Sequence, residues 1–302
     1  MDKSQLAGEI ARLKKENDAV ILAHNYQVPD VQDIADHVGD SLELSRLAAK
    51  TENRVIVFCG VKFMAETAKI LSPSRTVLLP EIEAGCPMAD MVSPMKISEA
   101  KALHPGAAVV SYVNTNIEVK AASDICCTSA NALKVVESLP QDEIIFVPDK
   151  NLGRWVQRFT KKKIHFNYGF CIVHENLRIE DVSAMKLKFP SAKVIAHPEC
   201  PPAVLDLADA VESTSGMLRY VEKSKDREFI IATEEGINHR LTKLFPDRIF
   251  HPMEPRMICR NMKKTSLDSV YRSLKLGRYE ISPDQGLLEA ARGPLERMIR
   301  LG

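Results

Sequence analysis

The chain repeats itself three times, and each copy runs to a cysteine. Ala23-His24-Asn25-Tyr26, Ser111-Tyr112-Val113-Asn114 and Ala196-His197-Pro198-Glu199 align in one register. With that register fixed, Ala35-Asp36, Ser123-Asp124 and Ala208-Asp209 coincide, and so do Ser41, Ser129 and Thr214. Each copy then passes an apolar stretch: Val55-Ile56-Val57-Phe58, Glu143-Ile144-Ile145-Phe146 or Glu228-Phe229-Ile230-Ile231. The copies end at Cys86, Cys171 and Cys259, which lie 62, 59 and 62 residues beyond His24, Tyr112 and His197. A period of about 86 residues exceeds the roughly 20–50 residues of solenoid repeats and suits a triplicated domain. Three equivalent loops around a pseudo-threefold axis can bring three thiolates together, one short of a closed four-ligand metal site.

Composition narrows the class. Of 302 residues, 45% are hydrophobic and 27% charged, as in an ordinary globular protein. The net charge of +1 gives no basic footprint for nucleic acid. No apolar run approaches the roughly 18 residues that mark a membrane-spanning helix. Met1 to Asn17 is charged and reads as an amphipathic helix rather than a signal peptide. Seven cysteines without a secretory segment point to a reducing, cytoplasmic setting, where thiols serve as ligands, nucleophiles or core residues.

The pattern along the chain is strand then helix, repeated. Strands are expected at Val20–Ala23, Val55–Phe58, Thr76–Leu79, Ala108–Tyr112, Ile144–Val147, Ile164–Asn167, Lys193–Ala196, Phe229–Ala232 and Arg248–His251. Helices are expected at Asp33–His37, Leu42–Lys50, Phe63–Leu71, Ala130–Ser138, Leu152–Thr160, Ala203–Leu207, Met217–Lys223 and Asn238–Phe245. This alternation predicts an α/β fold of three αβα domains with parallel sheets, covered on both faces. The boundaries fall at 1–94, 95–178 and 179–264, with two closing helices in 265–302 (Ser266–Leu276 and Leu287–Leu301).

Ligands of such sheets bind beyond the carboxyl ends of the strands, where the repeated polar tips fall. His24 and Tyr26, Tyr112 and Asn114, and His197 and Glu199 each follow an apolar strand, and their i, i+2 spacing puts both members on one side of an extended segment. The two histidines titrate near neutrality and suit acid–base work. Glu199 is the one carboxylate among the six tips and the natural base; Glu175, beside His174, is a second candidate. Ser41, Ser129 and Thr214 each precede a helix and read as N-caps, and a helix N-terminus is also an anion site. Gly216 is expected to permit a close backbone approach there. Cys59, Cys126, Cys127 and Cys200 read as core residues. The absence of C-x-x-C excludes zinc-ribbon and ferredoxin spacings, which leaves one thiolate per domain. Three such thiolates suit zinc with a fourth ligand, or a [4Fe–4S] cluster with one iron left open as a Lewis acid. Rossmann and Walker fingerprints are missing, so no nicotinamide or nucleotide cofactor is expected.

Six motifs then converge: Ala23-His24-Asn25-Tyr26-Gln27, Gly60-Val61 with Phe63-Met64-Ala65-Glu66-Thr67-Ala68-Lys69, Cys171-Ile172-Val173-His174, His197-Pro198-Glu199-Cys200, Thr233-Glu234-Glu235-Gly236 and Cys259-Arg260-Asn261-Met262-Lys263. Together they resemble the quinolinate synthase family over nearly the whole chain. One departure is that Cys259 stands alone, where some members carry C-x-x-C-x-x-C. The resemblance implies three αβα domains around a central [4Fe–4S] cluster held by Cys86, Cys171 and Cys259 with one iron open. It implies a transferase of de novo NAD biosynthesis that condenses iminoaspartate (iminosuccinate) with dihydroxyacetone phosphate to quinolinate, phosphate and water. Its substrate residues map onto His24, Ser41, Tyr112, Val113, Asn114, Ser129, His197, Pro198, Glu199 and Thr214, with Val113 and Pro198 contributing backbone only. Glu199 would shuttle protons, assisted by His24, Tyr26 and His197. The implied partners are small molecules, with transient contact with the enzyme that supplies the imine, and neither nucleic acid nor membrane. Two other readings keep the three thiols: a diphthamide-type enzyme that cleaves S-adenosylmethionine, and a non-enzymatic binding protein stapled by zinc.

Overall fold

Each copy folds into the same eight elements, with helix and strand in strict alternation. A computed structural model describes residues 1–301; Gly302, the last residue of the closing segment, lies outside them. The first copy comprises α1 (Lys3–Glu16), β1 (Ala19–His24), α2 (Pro29–Ile34), β2 (His37–Gly39), α3 (Ser41–Lys50), β3 (Val55–Cys59), α4 (Lys62–Leu71) and β4 (Thr76–Leu78). The second comprises α5 (Pro94–Leu103), β5 (Ala108–Tyr112), α6 (Ile117–Ala121), β6 (Ile125–Cys127), α7 (Ala132–Ser138), β7 (Glu143–Val147), α8 (Lys150–Gln157) and β8 (Lys163–Phe166). The third comprises α9 (Ile179–Lys188), β9 (Lys193–Ala196), α10 (Pro202–Leu205), β10 (Ala210–Val211), α11 (Thr214–Lys223), β11 (Glu228–Ala232), α12 (Ile237–Leu244) and β12 (Ile249–Pro252).

The strands form three four-stranded parallel sheets in equivalent orders: β2-β1-β3-β4, β6-β5-β7-β8 and β10-β9-β11-β12. The α/β architecture of three parallel sheets is therefore as the sequence predicts. β1 and β5 are buried along their whole length, which requires cover on both faces. The helices supply that cover. α13 (Leu267–Leu276) packs against α1 and β3, and α14 (Gln285–Arg300) lies between α4 of the first copy and α6 and β6 of the second. Leu288, Ala291, Leu295 and Met298 of α14 are buried there. No helix among the described residues is long and apolar enough to cross a membrane.

The register within each sheet rests on an aspartate. Asp36 Oδ2 accepts the Ile21 N–H at 2.8 Å, Asp124 Oδ2 that of Val109 at 2.7 Å, and Asp209 Oδ2 that of Val194 at 2.9 Å. The N–H of each aspartate returns the bond to the carbonyl of the same strand residue. A lysine from the preceding helix meets each carboxylate: Lys14, Lys101 and Lys186. This explains why the aspartates recur at one repeat position. They clamp the short second strand onto the first, and so fix where the polar tip of the first strand emerges.

One sequence expectation is corrected, and six elements are added to those expected. Asp33–His37 is not a helix. Pro29, with its φ preset for a first helical turn, starts α2 earlier, and His37-Val38-Gly39 leaves it to pair with the last three residues of β1. β2, β6 and β10 were not foreseen, because strands of two or three residues carry no periodicity. Nor were α5, α6 and α9. Loss of the clamp should be measurable: Asp124→Ala removes a charge-assisted bond to a backbone N–H, so it should lower the unfolding free energy by about 1.5–3 kcal/mol in a denaturant titration.

Candidate active site

The carboxyl ends of all three sheets border one cavity of about 550 Å³. His24 is the last residue of β1, Tyr112 the last of β5, and His197 follows β9 directly. These three, with Tyr26, Asn114 and Glu199 two residues further on, all line it. The i, i+2 pairs share a local device in the first and third copies. His24 Nδ1 accepts the Tyr26 N–H at 3.2 Å, and His197 Nδ1 accepts the Glu199 N–H at 3.3 Å. An Nδ1 used as acceptor leaves the neutral ring its proton at Nε2, and His197 Nε2 lies 3.2 Å from Ser129 Oγ. Burial drives the pKa of both imidazoles down to about 3, so both rings are neutral at pH 7.

Glu199 is buried at the centre of a hydrogen-bonded chain. Its Oε1 accepts from Tyr112 Oη at 2.7 Å, and its Oε2 lies 2.8 Å from His174 Nδ1. His174 Nε2 is 2.8 Å from Thr233 Oγ1, which is 2.6 Å from Tyr26 Oη. The series Tyr26–Thr233–His174–Glu199–Tyr112 passes through all three copies. Burial alone would raise the carboxyl pKa of Glu199. The hydrogen bonds that the carboxylate accepts from His174 and Tyr112 outweigh it, so the carboxyl is ionised. Burial, and then the charge of Glu199, raises the pKa of Tyr26 and of Tyr112, and both phenols stay protonated.

Cys86, Cys171 and Cys259 line the same cavity and are each partly exposed. Each sulfur is met by the backbone N–H groups two and three residues on: Met88 and Ala89, Val173 and His174, Asn261 and Met262. Such turns favour the thiolate. Burial nevertheless pushes Cys86 up to about 12 and raises the other two thiols, so the trio becomes anionic only beside a cation. The loops carrying two of them are held by carboxylates at equivalent positions after β7 and β11. Asp149 Oδ2 accepts the Cys171 N–H at 3.2 Å, and Glu234 Oε1 the Cys259 N–H at 3.0 Å. Lys263 Nζ lies 2.8 Å from Glu234 Oε1 and donates to the Tyr26 carbonyl at 2.6 Å, closing the third copy onto the first. Gly236 permits that closure, since a Cβ there would stand 2.7 Å from the Tyr26 carbonyl carbon.

The model for quinolinate synthetase A protein (NadA) matches residues 8–300. The quinolinate synthase of Methanoregula boonei is 54% identical over 300 residues, covering 99% of each chain. That of Geotalea uraniireducens is 52% identical over 301 residues, covering 100% of this chain and 99% of the relative. That of Caldicellulosiruptor bescii is 48% identical over 303 residues, covering 100% of both. The chain belongs to the quinolinate synthase family. The members of this family are enzymes of NAD biosynthesis.

Measured against the sequence expectations for a quinolinate synthase, the cavity gathers His24, Tyr26, Ser41, Tyr112, Asn114, Ser129, His197, Glu199, Thr214 and the three cysteines. Val113 and Pro198 are not on its wall. Both backbone groups of Val113 are engaged, the N–H by Cys127 and the carbonyl by Thr115. The N-cap reading is corrected. Asp40 caps α3 and Ser213 caps α11, each accepting first-turn N–H groups, and Ser41 and Thr214 are the first helical residues. Ser129 precedes Asn131, the cap position of α7. With the capping of α3 and α11 done by Asp40 and Ser213, the Ser41 and Thr214 side chains line the cavity instead. Gly216 serves Glu212 rather than a ligand, since a Cβ would stand 2.3 Å from its Oε2. Glu175 is bound to Lys150 and Asn151 and does not line the cavity. Cys59, Cys126, Cys127 and Cys200 are buried away from it, with their thiols pushed up by burial.

Sequence reasoning missed His174, Thr233, Glu234 and Lys263 as parts of the site. The available signal was local: His174 lies three residues after Cys171, and Thr233-Glu234 follows β11 as Pro148-Asp149 follows β7. Glu234→Ala leaves the Lys263 ammonium without its partner and the Cys259 loop without its anchor. It should destabilise the fold by about 3 kcal/mol or more, read from the unfolding midpoint.

Proposed function

We propose that this chain condenses iminoaspartate with dihydroxyacetone phosphate to quinolinate, phosphate and water, and that Cys86, Cys171 and Cys259 hold one [4Fe–4S] cluster. The observation that carries the reading is the threefold thiol arrangement, in which each sulfur faces one cavity with two backbone N–H groups aimed at it. That donor set fits the cluster: soft thiolates bind iron–sulfur centres, and N–H bonds to the sulfurs tune them. When bound, a cluster with three protein ligands supplies an open iron that polarises a carboxylate or hydroxyl oxygen.

The chain's own residues supply binding and proton handling. Glu199 is ionised, buried and fixed at both oxygens, so it is placed to take a proton from carbon or nitrogen of a bound intermediate. Tyr112 and His174 stabilise it in the charged form and reform the same bonds after each transfer. His24 and His197 are neutral and present Nε2–H donors that orient carbonyl or carboxylate oxygens. Ser129, Ser41 and Thr214 offer hydroxyls to carboxylate and phosphate oxygens. Thr214 is itself positioned by Asn25, whose Nδ2 donates to it at 2.8 Å while Arg240 holds Asn25 Oδ1 at 2.6 Å. In this reading the enzyme is cytoplasmic, receives its unstable imine from a neighbouring enzyme, and divides at 1–94, 95–178, 179–264 and 265–302.

Two tests address this reading. Anaerobically purified protein should carry about four iron and four sulfide per chain, and zinc without sulfide would overturn the cluster assignment. Cys86→Ala, Cys171→Ala and Cys259→Ala should each lose that iron, whereas Cys59→Ala should keep it. Glu199→Gln should retain full iron and sulfide yet lose turnover by about 100-fold or more, the usual scale for a positioned acid–base group. A fully active Glu199→Gln enzyme would remove the proton-transfer role.

A further inference from the structure

The second copy carries a cluster of donors that the proposed reaction does not use. His104 caps the C-terminus of α5, Glu143 opens β7, and His165 lies in β8. One donor atom from each lies within 4.8 Å of the other two. His165 Nε2 is 2.7 Å and His104 Nδ1 is 3.9 Å from the same Glu143 Oε2. The two imidazoles stack with centroids 3.4 Å apart and planes inclined by 16°. Lys163 approaches the other carboxylate oxygen, Oε1, at 3.5 Å, which leaves Oε2 to the histidines. All three side chains are partly exposed, so an ion has a path in. The cluster sits at the amino end of β7, away from the cavity at the carboxyl ends.

The repeat supplies an internal comparison. The equivalent positions in the third copy are Phe189, the C-cap of α9, with Glu228 and His251. His251 Nε2 lies 2.8 Å from Glu228 Oε1, and Phe189 stacks on His251 at 3.6 Å and 13°. In the first copy the three positions are Asn17, Val55 and Leu78. The skeleton therefore packs with neither imidazole nor carboxylate in copy one and with an aromatic hydrocarbon in place of the second imidazole in copy three. Stacking accounts for a ring at position 104 but not for its nitrogen. Only the second copy has the full set of three donors.

We propose that His104, His165 and Glu143 form a binding site for a divalent first-row transition ion, with zinc(II) the expected occupant. Ligand bonds of about 2.0–2.1 Å in a tetrahedral site place donors about 3.3 Å apart, and the carboxylate oxygen lies 2.7 and 3.9 Å from the two ring nitrogens. The stacked rings hold their lone pairs parallel, so ion binding requires one imidazole to turn out of the stack. Two imidazoles and one carboxylate suit zinc, copper or nickel, and not magnesium or calcium. Three protein ligands leave one position for water. The bound ion ties the end of α5 to the edge of the second sheet.

The test is equilibrium dialysis of the enzyme, with its own cluster in place, against zinc(II) buffered by a chromophoric chelator. The wild type should bind one zinc per chain that His104→Phe does not. His104→Phe installs the residue that copy three already accommodates, and it should keep iron content and thermal midpoint while weakening zinc by at least about tenfold. Even ligand-supporting residues cost that much when removed. Glu143→Gln should show the same loss. Equal zinc binding by wild type and both variants, or no zinc bound by the wild type at buffered micromolar concentration, would overturn the site.

Discussion

Glu199 is a carboxylate with almost no exposure, and a charge so placed costs several kcal/mol unless its partners are fixed. That requirement ties the three copies together. Tyr112 comes from the end of β5, His174 from the turn after Cys171, and His197 from the same tip as Glu199. Thr233 and Tyr26 extend the chain to the third and first sheets. The network forms only when all three sheet ends are in place. The carboxyl edge of each sheet is in turn placed by its aspartate clamp. A buried network of this kind is stable when every member is bonded and costly when one is not, so the site and the packing of the copies form one problem rather than two.

The thiols impose the complementary demand. Burial holds them in the neutral form, while the N–H groups aimed at each sulfur favour the anion. The balance tips when a cation lies between them, and binding must then release protons. Asp149 and Glu234 spend their carboxylate oxygens on the N–H groups of Cys171 and Cys259. The first copy has Val61 at that position, and its cysteine loop is tied by the Lys62 N–H to the Ala84 carbonyl instead. The same loop is thus anchored by a side-chain carboxyl twice and by backbone once.

Much of this was legible because the repeat multiplies weak signals. One histidine after a strand says little, but His24 and His197 at one repeat position, with cysteines at another, locate a shared cavity. What stayed hidden depends on contacts distant in sequence. Thr233 matters because Tyr26 and His174 reach it from 207 and 59 residues away, and no spacing rule carries that. Two of the three N-caps were misplaced by one residue for a local reason. Asp40-Ser41 and Ser213-Thr214 each offer two capping side chains in succession, and backbone geometry alone decides which one turns inward. The short second strands escaped notice because hydrogen bonds to β1, β5 and β9, not composition, make them strands.

Triplication also explains how the copies diverged without losing the fold. The aspartate and lysine clamp recurs in all three, since each sheet needs its register. The tips vary: histidine and tyrosine, tyrosine and asparagine, histidine and glutamate. Only one tip brings a carboxylate, and a second ionised carboxylate facing Glu199 across a buried cavity would be repelled by it. The amino ends of the sheets, free of that constraint, carry Val55, Glu143 and Glu228 at one position and Asn17, His104 and Phe189 at another. The clamp leaves these side chains to vary, and chemistry unrelated to the central cavity can collect there without disturbing it.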